Sequence, residues 1–292
     1  MLAWAQDAAT AYRNLGLGPH VVFGGLVSGV LFWSPAMVIS LIALAALFAL
    51  VLLRLEAGLM LLAFFIPFYL IPQRLFERAF SMVELLTIMC FASWAVRWIT
   101  QALRVRRLAR TNAIFNFQFS IPNLFDWSVL ALVIVSLLSA LQADFRIEAF
   151  REWRLVIVEP ALVYLMLRAL PPAHRQDQPT ARRIMPILDG FVLGAVVVAT
   201  VGLINYAQGN TIEAEFGLPR IKSVFGSPNN DALFLERALP IMLAVGLWKW
   251  RLKIGDRGDL QSLSHLRPLL YLIGLFPVAL ALLLTQSRGE LL

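Results

Sequence analysis

The sequence predicts an all-α, polytopic integral membrane protein with about nine transmembrane segments. Three observations predict it. Of 292 residues, 60% are hydrophobic and 15% are charged, where a soluble domain carries about 45–50% and about 25%. The apolar residues gather in long runs, several approaching the roughly 20 residues that cross a bilayer as a helix. Those runs show no period-two alternation, so they read as helices and not as strands of a barrel. A soluble enzyme, a disordered chain and a disulfide scaffold are thereby excluded. The one cysteine, Cys90, permits no intrachain disulfide, and His20, His174 and His265 are too scattered to form a metal cluster.

Taken in order, the apolar segments are 21–33, 35–53, 58–71, 82–99, 127–141, 155–170, 187–206, 232–250 and 269–285. The first two meet at Ser34-Pro35, which suits either a tilted hairpin or a re-entrant element. Asp7 and Arg13 precede the first run. No short apolar region with a small-residue cleavage site follows, so the first helix is expected to serve as its own uncleaved insertion signal. The segment 104–120 is basic and then rich in Asn and Phe. It reads as an ordinary cytoplasmic loop or as a stretch lying on the inner membrane surface.

The connections give the orientation. The net charge of +7 does not imply nucleic acid, because basic residues in a membrane protein mark the cytoplasmic side. Arg97, Arg104, Arg106, Arg107 and Arg110 follow the fourth segment. Arg168, Arg175, Arg182 and Arg183 surround the loop after the sixth. Lys249, Arg251, Lys253, Arg257 and Arg267 follow the eighth. With Arg13 and Arg54 these make sixteen of the 25 basic residues on one side. The N-terminus is therefore expected in the cytoplasm. The stretches 73–80, 142–154, 208–231 and 286–292 are expected outside.

Charges on the outer side are the informative ones, because the positive-inside bias does not explain them. In the stretch from Asp144 to Arg154, helical spacing puts Phe145, Ala149 and Trp153 on one face, with Arg146, Glu148, Arg151, Glu152 and Arg154 around it. This predicts an amphipathic surface helix leading into the sixth span, which serves either as an interfacial anchor or as part of a site. The second cluster runs from Leu218 to Asp231. Ser227 can cap a helix with Pro228 at its first position. Free backbone N–H groups then face outward with Arg220 and Lys222 just upstream. That pattern suits an anion, and an Arg fork holds two phosphate oxygens at once. The competing reading is a basic loop near lipid phosphates. Glu236 and Arg237 fall inside the eighth span. There they are expected to face the bundle interior, each with its own partner. Glu84, Glu159 and Asp189 are similar intramembrane acids, read chiefly as interhelical hydrogen-bonding groups. Ser287 and Glu290 have capping-box spacing. A new helix is expected to begin there, which makes the chain read as the N-terminal part of a longer protein.

Three phrases resemble a known family. They are Arg220…Phe225-Gly226-Ser227-Pro228-Asn229 with Ala232, Leu235 and Pro240; Leu284-Thr285-Gln286-Ser287-Arg288-Gly289; and Arg151-Glu152-Trp153-Arg154…Val158-Glu159-Pro160-Ala161. In order and spacing they resemble the O-antigen ligase/polymerase family of bacterial polysaccharide enzymes, over residues 151–292. The resemblance implies a GT-C-like helical bundle in the bacterial inner membrane. It implies transfer of a glycan from an undecaprenyl-diphosphate carrier to lipid A–core or to a growing polysaccharide on the periplasmic face. No cofactor or metal is implied, since the leaving group is already a lipid diphosphate. Residues 1–126 would then be N-terminal transmembrane helices with a basic cytoplasmic loop, and 127–292 a partial ligase/polymerase domain. Arg220, Arg288 and Lys222 would bind the diphosphate. Arg151, Arg154, Asn229, Glu236, Arg237 and Ser287 are the supporting candidates. The family's proposed base is a histidine on a late periplasmic loop. No outer-side histidine is present here, so that base is expected beyond Leu292 and the chain alone is expected to be inactive. Partners would be the lipid-linked donor, the acceptor and membrane lipids. A transporter or a flippase of lipid-linked glycan is the alternative, and a non-catalytic membrane scaffold a third. Neither inverted repeats nor matched broken helices support the transporter.

The orientation is testable. Reporter fusions after Arg107 and after Gly217 are expected to report opposite compartments, cytoplasmic and periplasmic respectively. The same compartment for both overturns the topology.

Overall fold

The computed structural model describes residues 17–33, 36–75, 78–108, 123–169, 181–213, 218–255 and 267–286. The chain is mostly helical. Three helical stretches are long and apolar enough to cross a membrane: Met82–Thr100, Leu124–Gln142 and Ile184–Ala207. Gly18–Trp33, Met37–Leu53, Leu55–Phe68 and Tyr271–Thr285 are shorter apolar helices. Over their described residues the nine apolar runs coincide with helices, apart from the turn at 69–71 and single end residues, but fewer of them have spanning length than the sequence predicts. Among the described residues strands occur only in connections.

Contacts divide the chain into two compact units. One comprises Met1–Leu59, Gln73–Phe80 and Glu84–Met185; the other comprises Met60–Pro72, Ser81–Val83 and Pro186–Leu292. In the first unit, α1 (Leu17–Trp33) packs on α2 (Met37–Leu53), and α3 (Leu55–Phe65) follows after the extended residue Arg54. Next come the paired strands β1 (Pro72–Leu75) and β2 (Arg78–Ser81), then α4 (Met82–Leu108). The guanidinium of Arg97 on α4 donates to the Leu52 carbonyl through Nε at 3.2 Å and Nη2 at 2.8 Å. It thus satisfies a carbonyl that the end of α2 leaves open. The next helix, α5 (Leu124–Gln142), opens with a reciprocal capping box. Asn123 Oδ1 accepts the Asp126 N–H at 3.0 Å, and Asp126 Oδ2 accepts the Asn123 N–H at 2.7 Å. Tyr164 Oη donates to Asp126 at 2.8 Å and Arg168 pairs with the same carboxylate. One acid therefore caps α5 and ties it to α7 (Glu159–Arg168). Little of α5 is otherwise buried.

The sequence predicts one amphipathic helix over 144–154, and here the structure differs. The short helix α6 (Arg146–Glu152) runs into a π turn, Trp153–Val158, which continues as α7. Phe145 lies outside α6 and is exposed. Phe145, Ala149 and Trp153 are still joined by i→i+4 backbone bonds, with Ala149 and Trp153 partly buried and Phe145 exposed, and the pitch changes only beyond Trp153.

In the second unit, α8 (Ala181–Ala207) packs closely on the segment entering the 3₁₀ turn Ile66–Phe68. Gly190 faces the Met60 carbonyl, and a Cβ at Gly194 would lie 2.7 Å from the Phe64 carbonyl oxygen. Backbone cannot retreat as a side-chain tip can, so only glycine fits. The strands β3 (Ile212–Glu213) and β4 (Pro219–Arg220) pair antiparallel, with Ile212 opposite Arg220. The long helix α9 (Pro228–Gly255) packs against α10 (Arg267–Thr285). Tyr271 on α10 donates its hydroxyl to Asp189 on α8. Asp189 thus makes a helix-to-helix hydrogen bond of the kind the sequence predicts, and Glu84 on α4 accepts one from Arg154 at the π turn.

The glycine contacts give a stability test. Gly190→Ala is expected to lower stability by about 1–3 kcal/mol, because a methyl group there meets backbone. Gly29→Ala, in mid-helix and meeting nothing within 4 Å, is expected to raise stability by up to about 1 kcal/mol. Thermal unfolding in detergent reads both; equal effects would refute the close approach of α8.

Candidate functional site

The cationic cluster of the second unit is built on three helices. Residues 218–227 connect the β3–β4 pair to α9, and each part of that connection is held by a different helix. At its start, the Ile221 N–H donates to the Leu284 carbonyl at 3.0 Å. Arg220 Nε donates to the Thr285 carbonyl at 2.6 Å, so the guanidinium serves as a cation at the electronegative end of α10. Its Nη2 donates to Asn229 Oδ1, at the start of α9, at 2.7 Å. Arg220 thus bridges the end of one helix and the beginning of another. Both of its partners are neutral. Among the described residues no carboxylate pairs with it.

The middle of the connection is held more deeply. Asn205 Nδ2 on α8 donates to the Lys222 carbonyl at 3.0 Å. The Ser223 N–H donates to Asp231 Oδ2 at 2.7 Å, and Ser223 Oγ donates to the Val198 carbonyl at 2.6 Å. A Cβ at Gly202 would lie 3.0 Å from Ile221 Cδ1 and 3.2 Å from Ser223 Cβ, so the loop rests directly on α8. Gly226 takes φ +67, which a residue with a side chain adopts at a cost, and this turns the chain into Ser227 and Pro228. Pro228 opens α9, as the sequence predicts. Lys222 is half-buried beside Arg220 in sequence, and Asn229 is exposed.

Asp231 was legible in the sequence only as the last residue of the outer stretch. It is 1% exposed. Burial pushes its carboxyl up to about 6, against the Ser223 and Phe225 N–H groups, which favour the ionised form. Its Oδ1 is buried without a hydrogen-bond partner among the described residues.

Glu236 and Arg237 depart from expectation. Both are exposed, and neither has a partner among the described residues. The reason is helical phase. The buried face of α9 runs through Asp231, Ala232, Leu235, Ala238, Met242 and Val245. Positions 236 and 237 are rotated about 100° and 200° from Leu235. Arg288 and Ser287 lie outside the described residues.

Arg151 and Arg154 belong to the first unit. Arg151 is exposed. Arg154 Nη2 pairs with Glu84 Oε1 at 2.5 Å, so it is not a free cation for an anion ligand. The π turn explains the arrangement. In an α-helix, residues five apart are about 140° apart in azimuth. Here the Glu159 N–H bonds back to the Arg154 carbonyl, stacking the two residues along one side. Glu159, also buried, then lies within electrostatic reach of both Arg154 and Glu84. No sequence periodicity predicts this grouping.

Comparison with protein-family models, curated proteins and solved structures finds no match. Among the described residues no group of three or more His, Cys, Asp or Glu forms a metal site. The functional reading therefore stands on the cationic connection and on the motifs that contain it.

Asp231 gives a pH test. Its carboxyl is raised from an ordinary 3.8 to about 6, so the native state holds the proton more tightly than the unfolded chain. Its effect on stability is most favourable below pH 4 and becomes unfavourable as pH rises to 6. Asp231→Asn cannot titrate. The melting temperature of wild type relative to Asp231→Asn is expected to fall between pH 4 and pH 6.5. A constant difference would mean the acid titrates normally.

Proposed function

We propose that this protein takes part in transferring a glycan from an undecaprenyl-diphosphate carrier to a lipid A–core or polysaccharide acceptor at the outer face of a bacterial inner membrane. The observation that carries the reading is the placement of Arg220. Its guanidinium joins the end of α10 to the start of α9 without a carboxylate partner among the described residues. The helix it caps ends at Thr285, three residues before Arg288 in the same motif. Arg220 thus bonds to Thr285, a residue of the second family-like phrase.

The chemistry follows from charge. When the acceptor hydroxyl attacks the anomeric carbon, its proton passes to a general base, the bond from that carbon to the diphosphate oxygen breaks, and negative charge collects on the leaving diphosphate. Groups already positioned at the oxygens where charge grows lower the barrier without reorganising. Arg220, Lys222 and Arg288 fill this role, with the N-terminal amides of α9 adding a favourable field. Arg151 and Arg154 are not part of this diphosphate site in the proposal, since Arg154 is already neutralised by Glu84.

The test is complementation of a surface-glycan defect by the intact protein, with expression controlled. Arg220→Ala and Arg288→Ala are each expected to cut glycan display about ten- to a hundredfold, the loss of one charge-assisted contact. Arg288→Lys is expected to remain impaired, because lysine restores the charge but not the fork. Near-normal display from both alanine variants removes the assignment.

A further inference from the structure

The peptide group between Lys222 and Ser223 is gripped at both of its polar ends. Its carbonyl accepts from Asn205 Nδ2 on α8, at 3.0 Å. Its N–H donates to Asp231 Oδ2 on α9, at 2.7 Å. The peptide is planar, so fixing both ends against two helices fixes the rotation of the whole plane. That sets the backbone torsion from which the Lys222 side chain departs. On the other flank, Ile221 N–H and Arg220 Nε hold the chain to α10. The Ser223 hydroxyl is occupied by Val198. The connection carrying both cations therefore has no free rotation at 222–223.

The carboxylate is an expensive way to obtain this. Asp231 is 1% exposed, and one of its oxygens is left without a hydrogen-bond partner among the described residues. Burying an acid so incompletely satisfied costs stability. An apolar residue would fill the same buried face of α9 more cheaply. What the carboxylate does provide is an acceptor for the Ser223 N–H, with the Phe225 N–H also acting on it, in a stretch that follows the two-residue strand β4.

We propose that Asp231 is a positioning residue, with Asn205 its counterpart across the peptide plane, and that together they aim Lys222 at the anion held by Arg220. The proposal rests on the reading of Arg220 as a diphosphate ligand. Asp231 itself makes no contact with the anion; it acts through Lys222.

The experiment is titration of the purified full chain with inorganic diphosphate, read by calorimetry. Asp231→Ala and Asn205→Ala are each expected to weaken binding about three- to tenfold, the loss of one orienting hydrogen bond. Asp231→Asn keeps an oxygen acceptor for the Ser223 N–H and is expected to retain affinity within about twofold. In a Lys222→Ala background, Asp231→Ala is expected to cost less than about twofold, because the residue it positions is gone. A purely structural role predicts the same loss in both backgrounds, and that result overturns the proposal. So does full affinity in Asn205→Ala, a variant that leaves the buried acid in place. Arg220→Ala separates the two levels. If it leaves affinity unchanged, the diphosphate reading fails. If it weakens binding while Asp231→Ala and Asn205→Ala do not, only the positioning role fails.

Discussion

A polar group taken into an apolar helical bundle must find its partner within the protein, and most of the connections described above are answers to that requirement. Arg97 meets the open carbonyl at the end of α2. Asp126 caps α5 and receives Tyr164 and Arg168. Asp189 takes the Tyr271 hydroxyl. Arg220 closes the end of α10. In each case the apolar surface brings helices together without specifying a register, and the hydrogen bond supplies one. Burial drives association but is non-directional; a single acceptor at the end of a helix is not.

How much of this the sequence discloses depends on the range of the interaction. Helix positions were legible because apolar runs are a local property. The start of α9 at Pro228 was legible because a cap and a proline are adjacent in sequence. The pairing of Glu84 with Arg154 spans seventy residues, and no local pattern carries it. The misreading of Glu236 and Arg237 has a different origin. Charge inside an apolar run suggests the interior, yet the phase of α9 is set by Asp231, Ala232 and Leu235. That phase turns positions 236 and 237 away. The cationic connection was recognised by composition. Its geometry was not, because it depends on Val198 and Asn205 upstream and on Leu284 and Thr285 downstream.

Within the connection itself, the division of labour follows chemistry. Arginine offers several N–H groups in a planar fork. Arg220 spends Nε and one Nη2 hydrogen on Thr285 and Asn229 and still has donors left. Lysine has no such rigid geometry, so its direction has to come from the backbone beneath it. The proposal for Asp231 and Asn205 follows from that contrast.

The π turn at Trp153–Val158 bears on how the chain can change over evolutionary time. A π turn is in effect one residue more than an α-helix needs over the same rise. Deleting one residue between Arg154 and Glu159 would let α6 and α7 merge into a continuous helix. The two would then stand four apart, and an α-helix keeps residues four apart on one side, as the π turn does for residues five apart. The segment therefore tolerates the loss of one residue at its centre better than the loss of either charged partner at its ends.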